Sequence, residues 1–514
     1  MRSLVETPPP PACPAPFNLA AHVLAPAAVT PDRVALQLLR PDGAERWSFA
    51  RLEAAVRGTG TGLLQAGLEP GDKVLMRLAN SVEFPVLFLG AIAAGLVPVP
   101  TSAQLTAPEV TALAAELGPR LIVAGPGIAT PEDPPCPVLG PDALRGWAEL
   151  PPCDWAMGAP DRLAYIVYTS GTSGRPRGVL HAHRAVWARR MMWQGWYGLT
   201  AEDRLMHAGA LNWTYTLGTG LLDPWAAGAT ALVPAPGVTP AQLPLLLRRF
   251  DVTIFAAAPG LYRQILKSGA KHHLPRLRHG LSAGEKLAEP IRAAWEAATG
   301  TPVHEAFGMS EISTFLSGSP DRPAPPGSSG YAQPGRRLAL IGPDGTPVPR
   351  GEPGIIAIHR SDPGLFLGYL GAEAETQERF AGDWFLTGDI ATMAEDGALT
   401  YLGRDDDMMN AGGVRVSPLE VEAALTAHPA IAEAAACAVT LKPGVSVIAA
   451  FYTAPEPIPE PTLSDWAATR LARYKQPRLW YHVDALPRGA NNKLLRRQLR
   501  ARAEAALKDP DHAA

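Results

Sequence analysis

The run Tyr168-Thr169-Ser170-Gly171-Thr172-Ser173-Gly174-Arg175-Pro176-Arg177-Gly178 packs hydroxyls, glycines and arginines into one short stretch. That mixture suits an anion. Glycines let the backbone bend so that several N–H groups converge on one phosphate, and hydroxyls add further donors. The apolar residues Ala164 to Tyr168 just before it read as a buried strand, which places the loop at a strand end. It is not a Walker loop: that pattern needs Ser or Thr after Gly-Lys, and here Val179 follows Gly178. Taken alone, the string reads equally as a Ser- and Gly-rich surface loop with no ligand.

The elements that would hold this loop follow an α/β pattern, with short apolar strands alternating with helical stretches. Lys73 to Leu78, Leu121 to Ala124, Thr253 to Ala257 and Leu281 to Ala283 are expected strands, and Pro108 to Leu117 an expected helix. Phe84 to Pro100 is the longest apolar stretch, but prolines interrupt it. It reads as a buried helix turning into a strand at Leu96-Val97-Pro98-Val99 and not as a membrane span. The chain of 514 residues is long enough for several lobes. A boundary is expected at Gly403-Arg404, dividing residues 17–403 from 404–514. The second part should hold a helix at Pro418 to Thr426, strands near Ala432 to Val439 and Val445 to Tyr452, a helix around Asp465 to Leu471 and a basic helix from Leu494 to about Ala506.

A formal net charge of −3 with no dense basic run argues against nucleic acid as a partner. Cys13, Cys136, Cys153 and Cys437 are scattered without metal or disulfide spacing, as expected in a reducing cytoplasm, and Cys437 lies in an apolar run as inert core. The N-terminus carries no basic-then-apolar signal, and Pro8 to Pro11 with Pro14 suggest a loose, extended lead-in.

The Tyr168–Gly178 stretch resembles the signature loop of the adenylate-forming acyl-CoA synthetase superfamily, and the likeness runs from about Phe17 to about Arg500. The resemblance implies a large N-terminal domain of stacked sheets and helices and a small, mobile α+β C-terminal lid. It implies that Thr169, Ser170, Gly171, Thr172, Ser173, Gly174 and Arg177 hold the β- and γ-phosphates of ATP. Arg177 stands where lysine is usual, replacing a point charge with a flat fork. Phe307-Gly308-Met309-Ser310-Glu311 matches the aromatic-Gly-x-Thr-Glu motif, with Ser310 for threonine. By that match Glu311 holds Mg²⁺, Ser310 donates to the α-phosphate, Phe307 stacks on adenine and Glu305 accepts from its amino group. Gly284 and Glu285 join the ATP site. Asp389, after a tight glycine turn in Trp384–Asp389, would accept the ribose hydroxyls, and Arg404 would bind ribose or phosphate.

In Gly403-Arg404-Asp405-Asp406-Asp407 the family's spacing makes Asp406 the hinge, although three carboxylates also read as a solvated turn or a metal site. Leu486 to Lys493 resembles the C-terminal catalytic motif, in which Lys493 meets the acid's carboxylate and the α-phosphate. A cation there stabilises charge that builds up in the transition state. Gly412 and Gly413 would let a pantetheine arm pass close to backbone, or form an ordinary turn. Tyr474 and Arg478 match positions that contact the CoA nucleotide, or are plain surface residues.

The resemblance places the acyl pocket around Asn212, Trp213, Ala258, Ala283, Gly308 and Met309, with Gly308 where acetate-specific relatives carry a tryptophan floor. None of these positions is charged, so the acid's tail is expected to be apolar or aromatic. The implied function is an AMP-forming carboxylic acid–CoA ligase using ATP, Mg²⁺ and CoA, with an aromatic acid favoured. A medium-chain fatty acyl-CoA synthetase, an enzyme loading a separate carrier protein and a non-catalytic nucleotide-binding regulator are the alternatives. The expected partners are small molecules, in the cytoplasm; a homodimer is an open reading.

Overall fold

A computed structural model describes residues 1–170, 176–405, 407–411, 414–442, 445–489 and 494–507. The chain forms two compact units. The larger comprises Val5–Leu338 and Ile358–Phe385, the smaller Met1–Leu4, Ala339–Ala357 and Leu386–Ala514.

Three sheets build the larger unit. One has nine strands, and its inner members Val34–Leu39, Thr230–Pro234, Arg204–His207, Ile254–Ala257, His279–Ser282 and Val303–Met309 all run parallel. They are buried almost throughout, as in a parallel sheet covered on both faces, although three of them carry histidine and one also Glu305. A second sheet of four parallel strands holds Val97–Pro100, Lys73–Arg77, Leu121–Ala124 and Val138–Leu139. A third joins Leu163–Ser170, Pro176–Ala182 and Gly368–Tyr369. The expected helix turning into a strand is the helix Glu83–Ala93, buried on nearly every face, followed by the strand Val97–Pro100. It packs against the helix Phe49–Gln65 at glycine: a Cβ on Gly90 would lie 2.8 Å from the Val56 carbonyl, so only hydrogen fits there. No described helix is long and apolar enough to cross a membrane.

Two expectations shift here. The strand placed at Leu281 to Ala283 is His279–Ser282, and the chain turns at Gly284 with φ of +96°. The proline-rich lead-in is held down, not loose. Prolines lack N–H groups but keep their carbonyls as acceptors. The Trp187 indole donates to the Pro11 carbonyl at 2.8 Å, and the Thr7 hydroxyl to the Arg336 carbonyl at 2.8 Å.

In the smaller unit, the strands Glu433–Lys442, Val445–Thr453 and Leu479–His482 form a sheet flanked by the helices Pro418–Thr426, Glu460–Ala468 and Arg496–Ala506. Cys437 is buried within it, and burial pushes its thiol up to about 11, which keeps it inert. The middle helix starts at Glu460 and not at Asp465, because Pro461 suits a first helical turn.

Candidate active site

Strands Leu163–Ser170 and Pro176–Ala182 make an antiparallel hairpin with Thr169 opposite Arg177. Gly171, Thr172, Ser173 and Gly174, between these strands in sequence, lie outside the described residues. Arg177 is half-buried and meets Glu375 through both arms of its fork, Nε to Oε1 at 3.1 Å and Nη2 to Oε2 at 2.6 Å. A lysine could not make that two-point contact, so the chain's departure from the usual residue has a local partner.

Glu305 to Glu311 leave the nine-stranded sheet at the end of Val303–Met309, which pairs with Ser313–Ser317. The register shifts between Phe307 and Gly308, and Ser313 is held at φ of +70°. Glu311 is buried, and the Tyr369 hydroxyl donates to its Oε1 at 2.7 Å. Phe366 N–H donates to the Glu311 carbonyl at 2.8 Å, so backbone and side chain are both fixed. Phe307 is half-buried, edge-on to Phe315. Ser310 is half-exposed beside Glu311.

Glu305 is a different case. Its carboxylate accepts from Leu287 N–H at 3.0 Å and Arg292 at 3.0 Å, with Lys286 at 3.7 Å. Burial raises its pKa, and Lys286, the Leu287 N–H and Arg292 oppose the rise. The group expected to read adenine is already engaged by three protein donors.

Trp213, expected in the acyl pocket, and Gly284, expected in the ATP site, do meet: a Cβ on Gly284 would come within 2.7 Å of the Trp213 ring. Trp213 stands edge-on to Tyr215 at 5.4 Å. Asn212 is half-buried just ahead of it, Ala283 is buried and followed by Gly284 and Glu285, and Ala258 caps the helix Pro259–Leu266. Gly308 faces no open floor. A Cβ there would lie 2.2 Å from the Ser313 carbonyl oxygen, so the facing strand's backbone fills the space expected to be pocket. Met309, half-buried, ends the same strand.

In the smaller unit Gly388 turns at φ of +76° and delivers Asp389 opposite Arg404 across the hairpin of Trp384–Met393 and Leu399–Arg404. Asp389 is buried. It accepts from the Tyr401 hydroxyl at 3.2 Å, and Arg404 Nη1 lies 3.8 Å from it. Tyr474 and Arg478 are exposed. Asp406, Gly412, Gly413 and Lys493 fall outside the described residues.

Magnesium needs oxygen ligands and accepts one or two carboxylates completed by substrate phosphates. Among the described residues, no group of three or more His, Cys, Asp or Glu could hold an ion alone. A single buried, oriented carboxylate such as Glu311 fits that requirement.

Tyr369 and Glu375 were not legible as partners of the site, because each acts from a distant stretch of chain, whereas Tyr401 reaches Asp389 across its own hairpin. Asp223 left a faint signal, a lone carboxylate in an apolar run, whereas Arg189, directly followed by Arg190, left none.

Residues 24–370 match the model of the AMP-binding enzyme family, and residues 420–493 that of the AMP-binding enzyme C-terminal domain. The chain belongs to the AMP-binding enzymes. This AMP-binding enzyme is 32% identical to a benzoate–CoA ligase of Thauera aromatica over 90% of its own length and 92% of the relative's. It is 29% identical to the mitochondrial acyl-coenzyme A synthetase ACSM2 of Rattus norvegicus, covering 95% and 92% of the two chains. Among solved structures, the anthranilate CoA ligase AuaEII in complex with anthranoyl-AMP superposes with a TM-score of 0.87 at 28% identity, over 96% of this chain and 99% of that one. The benzoate CoA ligase of Burkholderia xenovorans LB400 gives 0.83 at 28% identity, over 94% and 100%. The mixed α/β architecture, with a large N-terminal and a smaller C-terminal domain, is that of the family.

Proposed function

We propose that this AMP-binding enzyme is an AMP-forming ligase joining an aromatic or apolar carboxylic acid to CoA. An oxygen of the carboxylate attacks the α-phosphorus of ATP, the bond to the β-phosphate breaks and pyrophosphate leaves. The CoA thiolate then attacks the acyl carbon, and AMP departs with the electron pair of the C–O bond. Thr169 and Arg177 on the hairpin, with the loop between the strands, bind the triphosphate. Arg177 exchanges Glu375 for phosphate as it does so. Ser310 donates to the α-phosphate, Phe307 packs on adenine and Asp389 accepts the ribose hydroxyls. Glu311 is the residue that would hold Mg²⁺, which when bound supplies positive charge against the phosphates. Lys493 carries the cation for the adenylation step. Residues 404–514 form the lid, with Asp406 as its hinge, and Gly412, Gly413, Tyr474 and Arg478 serve CoA. The compartment proposed is the cytoplasm.

The observation that carries this reading is Glu311, buried and aimed by Tyr369 next to Ser310, in a chain aligned along 90% of its length with a benzoate–CoA ligase. Its test is acid-dependent ATP–pyrophosphate exchange across a carboxylate panel, followed by thioester formation on adding CoA. Exchange without thioester in the presence of CoA would favour a carrier protein as acceptor. No exchange with any acid would leave only nucleotide binding.

A further inference from the structure

Beside Ser310 the larger unit has a small, part-open cavity of about 20 Å³, lined among others by Tyr165, His181, Arg189, Thr214, Ser310 and Ser313. That volume holds about one water or one group of its size. It is not an ordinary apolar void. Arg189 and Asp223 form a buried two-point ion pair at 2.8 and 2.6 Å. The Tyr197 hydroxyl donates to Asp223 at 2.7 Å, and Thr219 lies 3.3 Å from Arg189. A Cβ on Gly218 would fall 2.2 Å from the guanidinium carbon, so the fork lies flat on that glycine.

The remaining arm of Arg189 donates to Ser313 Oγ at 2.5 Å. This occupies the serine as an acceptor and leaves its own hydrogen to donate, with only the Met192 sulfur near at 3.9 Å. Ser313 is also one of two non-glycine residues with positive φ among those described, at +70°. Such strain persists where surrounding structure enforces it, and it collects at ligand sites.

His181, also in the lining, is 4% exposed and stacked on Tyr165 with ring centroids 4.7 Å apart. Neither ring nitrogen has a hydrogen-bond partner of good geometry, and the backbone group it approaches is that of Ser310. Burial and then Arg189 hold the imidazole neutral, with a pKa lowered to about 3. A neutral imidazole keeps one donor and one acceptor.

We propose that this cavity is a subsite for a small hydrogen-bonding substituent, a hydroxyl or amino group, on the carboxylic acid. His181 and the Ser313 hydroxyl read the substituent, and Arg189–Asp223 fixes the serine. The inference rests on the ligase reading, since it places the acid next to Ser310. An anionic substituent is disfavoured because Asp223 already neutralises Arg189, and a bulky one because the space is that of a single heavy atom. The incoming group replaces one water and takes over its hydrogen bonds.

The test is kcat/KM in pyrophosphate exchange for benzoate, its hydroxy and amino ring isomers, the methyl and chloro analogues of the same shapes, and octanoate. One hydroxy or amino isomer should exceed both benzoate and its methyl analogue by at least about tenfold, as sites built to bond a polar group reject analogues lacking it. Ser313→Gly removes the hydroxyl while suiting the positive φ, and His181→Phe keeps the stack on Tyr165. In each variant the ratio of that isomer to benzoate should collapse toward one. Preference for unsubstituted or alkyl acids in the parent overturns the inference while leaving the ligase reading intact. A polar preference that survives in both variants overturns it as well. Failure of every acid to support exchange removes the ligase reading and the subsite with it.

Discussion

Lys493→Ala should lower the adenylation rate by about 10²–10³, the usual cost of one transition-state donor. Thioester formation from supplied acyl-adenylate should be largely spared, because the lysine serves only the first half-reaction in the proposed scheme. Single-turnover assays of the two half-reactions decide this, and equal damage to both would refute the division. Arg177 poses a different question, because Glu375 competes with the triphosphate for one guanidinium. The pair is part-exposed, at 29% and 37%, and such pairs contribute about 0.2–1 kcal/mol. Glu375→Gln should therefore lower the KM for ATP by up to about fivefold. A KM that rises instead would mean that Glu375 orients Arg177 toward phosphate and does not compete for it.

The hairpin of Val303–Met309 and Ser313–Ser317 carries Phe307, Ser310 and Glu311, and its packing decides what Gly308 can do. With the Ser313 carbonyl 2.2 Å from the position of a Cβ, even alanine must push the strands apart. Overpacking of this kind costs about 1–3 kcal/mol. Gly308→Ala should thus lower the Tm and depress turnover of all acids together, with KM for ATP affected too. A variant of unchanged Tm whose acid ranking moves toward acetate would restore Gly308 as a pocket floor. The hairpin's motif was plain in the sequence. The closeness of its two strands was not, because a glycine that opens a pocket and a glycine that admits a backbone look alike in a string of letters.

Across the whole molecule, His181, His183, His207 and His304 are buried, and burial lowers the pKa of each to about 3. In the unfolded chain they titrate near the ordinary value of about 6.5. Between these values the unfolded state binds more protons, so stability is present in full above about pH 6.5 and falls as the pH drops toward 3. Each histidine contributes up to about 1.4 kcal/mol per pH unit in that window. Chemical denaturation at pH 7.5 and 5.5 should show a loss of several kcal/mol, and equal midpoints and slopes would rule the account out.

What the sequence determined by itself was local. The apolar runs at Lys73–Arg77, Leu121–Ala124 and Pro418–Thr426 set strand or helix to within a residue or so, because period and end signals act along the chain. The motifs around Tyr168, Phe307 and Trp384 marked an adenylate-forming enzyme for the same reason: each is contiguous. The tertiary structure decided which groups face one another. Tyr369 on Glu311, Glu375 on Arg177, three donors on Glu305, and Arg189–Asp223 behind Ser313 all join residues far apart in sequence or brought together by buried packing. A buried charge must find an opposite charge or hydrogen-bond donors, and only the folded chain shows which it finds.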